Sequence, residues 1–379
     1  MKLDTAIAHA GLCGDPVTGA VSTPIYQTST FRHPALGEST GFDYSRSSNP
    51  TRKVLEESIA ALESGEKGFA FSTGLAAITA VFMLFKSGDH IIFSDDLYGG
   101  TYRLLDKVFS QFGLSASFVD TTCFKNLEKA FIKDKTKAVF IESPTNPLLK
   151  ISDIRKISAF AHKNNILCIV DNTLMTPLLQ QPLLLGADIV AHSGTKFLGG
   201  HNDTLAGLLA ANGSELCARL AFIQNATGAV LSPFDSWLIL RGMKTLSVRM
   251  QRSQENAQKV ARWLSARRQV ARVYYPGLES HPHADIHKIQ SAGPGAMLSF
   301  SVKDKSLVEK IINNVKVISF AESLGGIETL ITYPAKQTHS DIPEELRNRI
   351  GITDDLLRIS IGIEDVNDLI NDLKQAMEK

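Results

Sequence analysis

Residues 165–196 read NILCIVDNTLMTPLLQQPLLLGADIVAHSGTK. Two short apolar runs lie in this stretch, and each ends abruptly in polar residues: Asp171-Asn172-Thr173 after the first, His192-Ser193-Gly194-Thr195-Lys196 after the second. Runs of this length, rich in β-branched residues and bounded by polar or turn text, read as buried strands. The same pattern recurs outward from here in GFAFS (68–72), HIIFS (90–94), SASFV (115–119) and KAVFIES (137–143). Helical stretches separate them: RKVLEESIAALES (52–64), LYGGTYRLLDKVFSQF (97–112) and SDIRKISAFAHKNN (152–165). Strand-helix alternation at this spacing means βαβ units and a largely parallel sheet with both faces covered, so the fold class is α/β.

The rhythm changes near Ser232-Pro233. A long helical segment runs through Arg267, followed by strands (GAMLSFSV, LLRISIGI) mixed with helices (KSLVEKIINNV and the terminal EDVNDLINDLKQAMEK). Residues 1–45 are turn-rich without a strong period and read as an arm that needs another surface to lie on. The expected division is therefore residues 1–45 as an N-terminal arm, 46–232 as a large α/β domain, and 233–379 as a smaller α+β domain that includes a long linking helix.

The chain has 379 residues, and forty Lys+Arg against thirty-nine Asp+Glu give a net charge of +1. With no basic or acidic block, this balance argues against a nucleic-acid or membrane-surface role but not against a small anionic ligand. Cys13, Cys123, Cys168 and Cys217 lie far apart with no C-x-x-C pair. Neither a disulfide framework nor a metal site is expected, and a reducing cytoplasm fits best. Met1-Lys2-Leu3-Asp4 carries an acid early and opens no signal-peptide core. Residues 68–85, GFAFSTGLAAITAVFMLF, are uncharged for the length of a membrane span. Ser72-Thr73-Gly74 is a turn signal in its middle, so it reads as a strand followed by a helix.

In parallel α/β sheets, ligands bind beyond the carboxyl ends of strands, which directs attention to the polar residues there. Lys196 beside a buried strand end can have its pKa lowered until it acts as an amine nucleophile; the alternative is a solvated lysine at a helix end. Asp171 ends an apolar run, where an acid needs a cation or several donors, or else caps a helix. Ser72-Thr73-Gly74-Leu75 offers backbone N–H groups at a helix start, a place that favours phosphate. A nucleophilic lysine, a carboxylate for a ring nitrogen and a phosphate cradle are together the requirements of pyridoxal phosphate. No G-x-G-x-x-G opens the first βαβ unit, and no G-x-x-x-x-G-K-[ST] is present.

Further stretches carry a resemblance: FDYSRSSNPTR (42–52), FSTGLAA (71–77), DLYGGTYRL (96–104), ESPTNP (142–147), VDNT (170–173), AHSGTKFLGGH (191–201), LRGMKTLSVRM (240–250) and AESLGGIETLITYPAKQTH (321–339). In this order and density they resemble the Cys/Met-metabolism family of pyridoxal-phosphate enzymes, which comprises cystathionine γ-synthases, cystathionine β- and γ-lyases and acylhomoserine sulfhydrylases. The resemblance implies the fold-type I transferase architecture and a homotetramer built from dimers with shared active sites. It implies that Lys196 carries the cofactor as a Schiff base, that Asp171 pairs with the ring nitrogen, and that Tyr98 stacks on the ring and assists proton transfers. Gly74, Leu75, Ser193 and Thr195 are implied at the phosphate, with Tyr44 and Arg46 reaching in from a neighbouring subunit; Thr173 joins the cofactor-binding set. Arg358 is implied to clamp the substrate α-carboxylate, with Asn146, Glu322, Ser323 and Thr338 also at the substrate. Leu75, Leu174 and Phe197 depart from the residues usual in the family, and Leu174 is expected to loosen packing near the cofactor.

GESTGFDYSR, GGHNDTLAGL, GAVLSPFDSWLILRGMKTLS and TYPAKQTHSDIPEE look most like bacterial cystathionine γ-synthases that use O-acetylhomoserine. The expected reaction is γ-replacement of an O-acylhomoserine by cysteine. A cystathionine γ- or β-lyase and an O-acetylhomoserine sulfhydrylase are the alternatives. A non-catalytic binding protein on the same fold is a further rival, opposed by the intact Lys196, Asp171 and Arg358.

Overall fold

The computed structural model describes residues 1–12, 15, 17–340 and 342–378, so Cys13 lies outside the described residues. Seven strands form the larger sheet: β1 (Lys67–Phe71), β2 (His90–Ser94), β3 (Ser115–Val119), β4 (Thr136–Glu142), β5 (Leu167–Asp171), β6 (Ile189–Ser193) and β7 (Gly207–Ala211). Their order is β1-β7-β6-β5-β4-β2-β3. The pairs β2–β3, β2–β4, β4–β5 and β5–β6 are parallel, with helices on both faces burying the apolar runs.

The six strands read from the sequence are present at the expected places. β7 was not foreseen. It is GLLAA, small and wholly buried, and has neither the alternation nor the β-branched content that marks a strand. It pairs antiparallel to both β1 and β6. Because β7 reverses direction, β1 points the same way as β4, β5 and β6, and their carboxyl ends share one edge. The uncharged stretch 68–85 is β1, a turn at Ser72-Thr73 and the helix Gly74–Phe82. No helix among the described residues is long and apolar enough to cross a membrane.

The expected long helix after Ser232 is two helices, Pro233–Met243 and Leu246–Ser265. The break follows from the carbonyl of Gly242, which accepts the Thr245 N–H at 3.2 Å, the Thr245 hydroxyl at 3.0 Å and Arg249 Nη2 at 2.8 Å. Arg249 is buried and also donates to Phe197 O at 2.9 Å. The second helix packs on a five-stranded sheet of order β10-β11-β12-β9-β8: β8 (Val270–Tyr274), β9 (Met297–Val302), β10 (Ser319–Phe320), β11 (Leu330–Thr332) and β12 (Leu356–Ser360). The terminal helix Val366–Glu378 covers the same core. Among the described residues of the first forty-five, the short helix Leu3–Ala8 buries Ile7 against Leu246–Ser265; the periodicity of six residues is too brief to read.

Candidate active site

A cavity of about 410 Å³ opens beyond the carboxyl ends of β1, β4, β5 and β6 and is also lined by Arg358 of β12 and by the segments around Glu322–Leu324 and Thr338. It gathers Gly74, Leu75, Tyr98, Asn146, Asp171, Thr173, Ser193, Thr195, Lys196, Glu322, Ser323, Thr338 and Arg358, thirteen residues expected from the sequence. A pocket of this size with a few convergent polar groups suits a cofactor and a small substrate.

Lys196 lies in the turn after β6 and points its Nζ at Ser323 Oγ, 2.6 Å away. Burial foremost, then the charge of Arg358, lowers its pKa to about 8, with Glu322 opposing. Its amine is thus far closer to neutrality than a surface lysine.

Asp171 ends β5 at the cavity floor. Its Oδ1 accepts the Thr173 N–H at 2.9 Å, and burial raises its pKa while Thr173 and His192 offset part of that. An ionised carboxylate here calls for a cation on the cavity side. Thr173 ties the strand ends together: its Oγ1 accepts the Ser193 N–H at 2.8 Å.

The helix Gly74–Phe82 starts at the cavity because the Thr73 hydroxyl caps it, accepting from Ala76 N at 3.0 Å. The N–H groups of Gly74 and Leu75 belong to the first turn, which has no intrahelical acceptors. A Cβ on Gly74 would lie 3.2 Å from Ser193 Cβ and Oγ, so glycine keeps these elements close. Thr195 lines the cavity, but its hydroxyl is engaged by the backbone of Ala206.

Arg358 on β12 is buried, and its guanidinium is held from three sides. Nη1 donates to Asn146 Oδ1 at 3.0 Å, and Nη2 donates to Ser323 O at 2.6 Å and to Thr332 Oγ1 at 2.8 Å. Nε is buried with no acceptor among the described residues. Burial lowers its pKa to about 10, against Glu322, Glu142 and Tyr98, which raise it. The side chain therefore stays charged, with a donor still to be satisfied. Tyr98 precedes the helix Gly99–Lys107, and a Cβ on Gly100 would come 2.4 Å from its ring, so the glycine allows the ring its place. The Thr338 hydroxyl pairs with His339 Nδ1 at 2.8 Å.

Tyr44 and Arg46 are not at this cavity. Both are exposed; the Arg46 guanidinium sits 5.5 Å from the Tyr44 ring centroid, and its Nε donates to Asn225 Oδ1 at 3.3 Å. Leu174 is buried in a core cluster and also lines the cavity. Sequence reasoning missed Glu142 and Thr332. Glu142 ends β4 just as Asp171 ends β5, and the rule that drew attention to Asp171 would have found it. Thr332 is brought to Arg358 only by the β11–β12 register, which no local signal announces.

A model of the Cys/Met metabolism PLP-dependent enzymes matches residues 4–378. The chain belongs to this family. Among its relatives are a cystathionine β-lyase of Lactococcus lactis subsp. cremoris (strain MG1363), 52% identical over 378 residues covering 100% of this chain and 99% of the relative, and a cystathionine γ-synthase of Haemophilus influenzae, 53% identical over 375 residues covering 99% and 97%. A crystal structure of cystathionine γ-lyase from Lactobacillus plantarum complexed with L-serine superposes with a TM-score of 0.97 at 44% identity, covering 100% of this chain and 99% of that one. The protein is a pyridoxal-phosphate-dependent enzyme of cysteine and methionine metabolism. Its residues fit that cofactor: a depressed lysine amine, a carboxylate at a strand end whose pKa burial raises, and the N–H donors of a helix's first turn share one cavity.

Proposed function

We propose that this member of the family catalyses γ-replacement, joining an O-acylhomoserine and L-cysteine into L-cystathionine with release of the acyl group as its carboxylate. The observation that carries the reading is a second opening. Past Thr195, Leu205, Glu322 and Ser323 the cavity adjoins an open groove of about 640 Å³ that also touches Asp203 and Glu328. Replacement needs room for a leaving group and an entering amino-acid thiol at one mouth, and this groove provides it.

Lys196, Asp171, Tyr98, Gly74, Leu75, Thr173, Ser193 and Thr195 would hold the cofactor, Lys196 through its Nζ. Bound there, pyridoxal phosphate supplies an electron sink for charge developing at the substrate α-carbon. Arg358 binds the α-carboxylate, and its unmatched Nε gains an acceptor when it does. Asn146, Thr332 and the Ser323 carbonyl fix the guanidinium plane. With a pKa of about 8, Lys196 would take the α-proton on Nζ and then serve the β-proton whose loss lets the γ-substituent depart, both positions regaining a proton once the thiol has added, while Ser323 Oγ holds the amine in place. Asp171 keeps a negative charge facing the ring, Tyr98 covers it, and Glu322 stands exposed at the mouth near the γ-position.

Tyr44 and Arg46 complete the phosphate site of a neighbouring subunit on this reading, in a homotetramer built from dimers. The cytoplasm is the proposed compartment, and the free thiols of Cys123, Cys168 and Cys217 agree with it. A lyase acting on cystathionine is the second reading, favoured by the comparable likeness to a β-lyase. One experiment separates them: O-acetylhomoserine with cysteine in one vessel and cystathionine alone in another, with products identified by mass. Cystathionine accumulating in the first supports replacement; rapid keto-acid formation in the second, with no net synthesis in the first, overturns it. Sulfide in place of cysteine tests sulfhydrylase activity.

A further inference from the structure

Glu142 ends β4 as Asp171 ends β5, and the two are register partners in neighbouring parallel strands. Their side chains leave the sheet on the same face from backbones about 4.8 Å apart. The Glu142 side chain is buried. Its Oε2 accepts the Tyr98 N–H at 3.0 Å, and the carboxyl group also accepts the Asn146 N–H. Asn146 in turn holds Arg358. One carboxyl group therefore anchors the backbone of the aromatic residue at the cavity and of the residue that aims the guanidinium.

We propose that Glu142 is a positioning residue of this site, bracing the Tyr98 wall against the Asn146–Arg358 wall while leaving Asp171 as the anion beside it. This rests on the reading that Tyr98 faces the cofactor and Arg358 the substrate, whichever reaction follows. Two carboxylates on adjacent strand ends do not readily ionise together. Burial first, then the charges of Asp171 and Asp96, push Glu142 well above the ordinary carboxylate range, and the two N–H donors offset only part of this. Arg358 is the cation that faces it, whereas Lys150 is engaged with Asp95 and Asp96. A Glu142 that keeps its proton retains a carbonyl oxygen, with two lone pairs for these N–H groups, and does not oppose Asp171.

Glu142→Gln preserves an uncharged acceptor of the same length; Glu142→Leu leaves two N–H groups without one; Glu142→Asp is one methylene short. Each protein is stripped of cofactor and compared with wild type in pyridoxal-phosphate affinity by fluorescence titration, in thermal midpoint, and in KM against kcat. Glu142→Gln is expected to hold cofactor affinity and KM within about threefold, and Glu142→Leu to lose about tenfold in each. Glu142→Asp falls between them and serves if Glu142→Leu does not fold. Glu142→Gln failing as badly as Glu142→Asp or Glu142→Leu overturns the proposal, because then the charge and not the brace is needed. A Glu142→Leu protein that loses only thermal stability, with affinity and KM intact, overturns it too. Failure of the underlying site reading shows separately, as a Lys196→Ala protein that keeps the visible absorbance of bound cofactor.

Discussion

Replacing Lys196 by Met should stabilise the cofactor-free enzyme near neutral pH, against the usual effect of a core substitution. Lys196 is held mostly out of water, and its pKa falls from the ordinary 10.5 to about 8. At about 1.4 kcal/mol per pH unit, that gap corresponds to about 3 kcal/mol of cost for keeping the ammonium folded at pH 7. Losing the bond to Ser323 Oγ returns about 1 kcal/mol of it, leaving a net gain of about 2 kcal/mol for Lys196→Met. The pH dependence has a definite sign. Below pH 8 the lysine is charged in both states and the whole cost is present. Between about 8 and 10.5 the unfolded chain binds the proton and the folded one does not, so wild-type stability rises with pH through this window. The advantage of Lys196→Met should shrink there by the same amount. Urea titrations of both cofactor-free proteins at pH 7 and pH 10 would test this. An advantage that is absent at pH 7, or that does not diminish at pH 10, would refute the claim that burial depresses this amine.

Three other outcomes follow from the geometry. Arg358→Lys, which removes the planar fork between Asn146, Ser323 and Thr332, should raise KM by about 10- to 100-fold with a smaller change in kcat, read from initial rates. If Tyr44 and Arg46 serve a neighbour, inactive Arg46→Ala and Lys196→Ala chains refolded together at equal amounts should recover about a quarter of the wild-type sites, because each mixed dimer contains one intact site; no recovery would place Arg46 with its own chain. Asp372, a buried residue of the terminal helix, accepts N–H bonds from Lys316, Val317 and Ile318. Asp372→Ala should therefore cost about 2–3 kcal/mol in denaturant unfolding without altering cofactor affinity.

Which parts of this site were readable in the sequence depended on whether a local signal existed. Asp171 and Lys196 were legible because each closes an apolar run, and in a parallel sheet such ends converge on one edge. The Gly74 turn was legible because it interrupts an uncharged stretch that would otherwise imitate a membrane span. β7 was illegible because Gly207–Ala211 is small and buried on both faces, so no period of two exists to detect. The helix break at Lys244-Thr245 was illegible for a different reason. Nothing in MKTLS forbids a helix; it ends because Arg249 and Thr245 capture the Gly242 carbonyl, a decision made by tertiary contacts. Thr332 belongs to the same class, since it reaches Arg358 through strand register alone.

Ser323 shows how the two sheets are made to act as one site. It adopts φ 94°, a left-handed conformation that a residue with a Cβ takes up at a cost of about 1–3 kcal/mol. That conformation directs its hydroxyl to Lys196 Nζ, from the turn after β6, and its carbonyl to Arg358 Nη2, on β12. The residue thus links the Lys196 amine and the Arg358 guanidinium, the groups proposed to move the proton and to bind the carboxylate. After burial, the charge of Arg358 is what depresses the Lys196 amine. On the proposed roles, a substrate carboxylate neutralising Arg358 would remove that influence and make the amine more basic as the substrate docks. Substrate binding and base strength would then be coupled through Arg358, with the backbone of Ser323 holding the two groups in place.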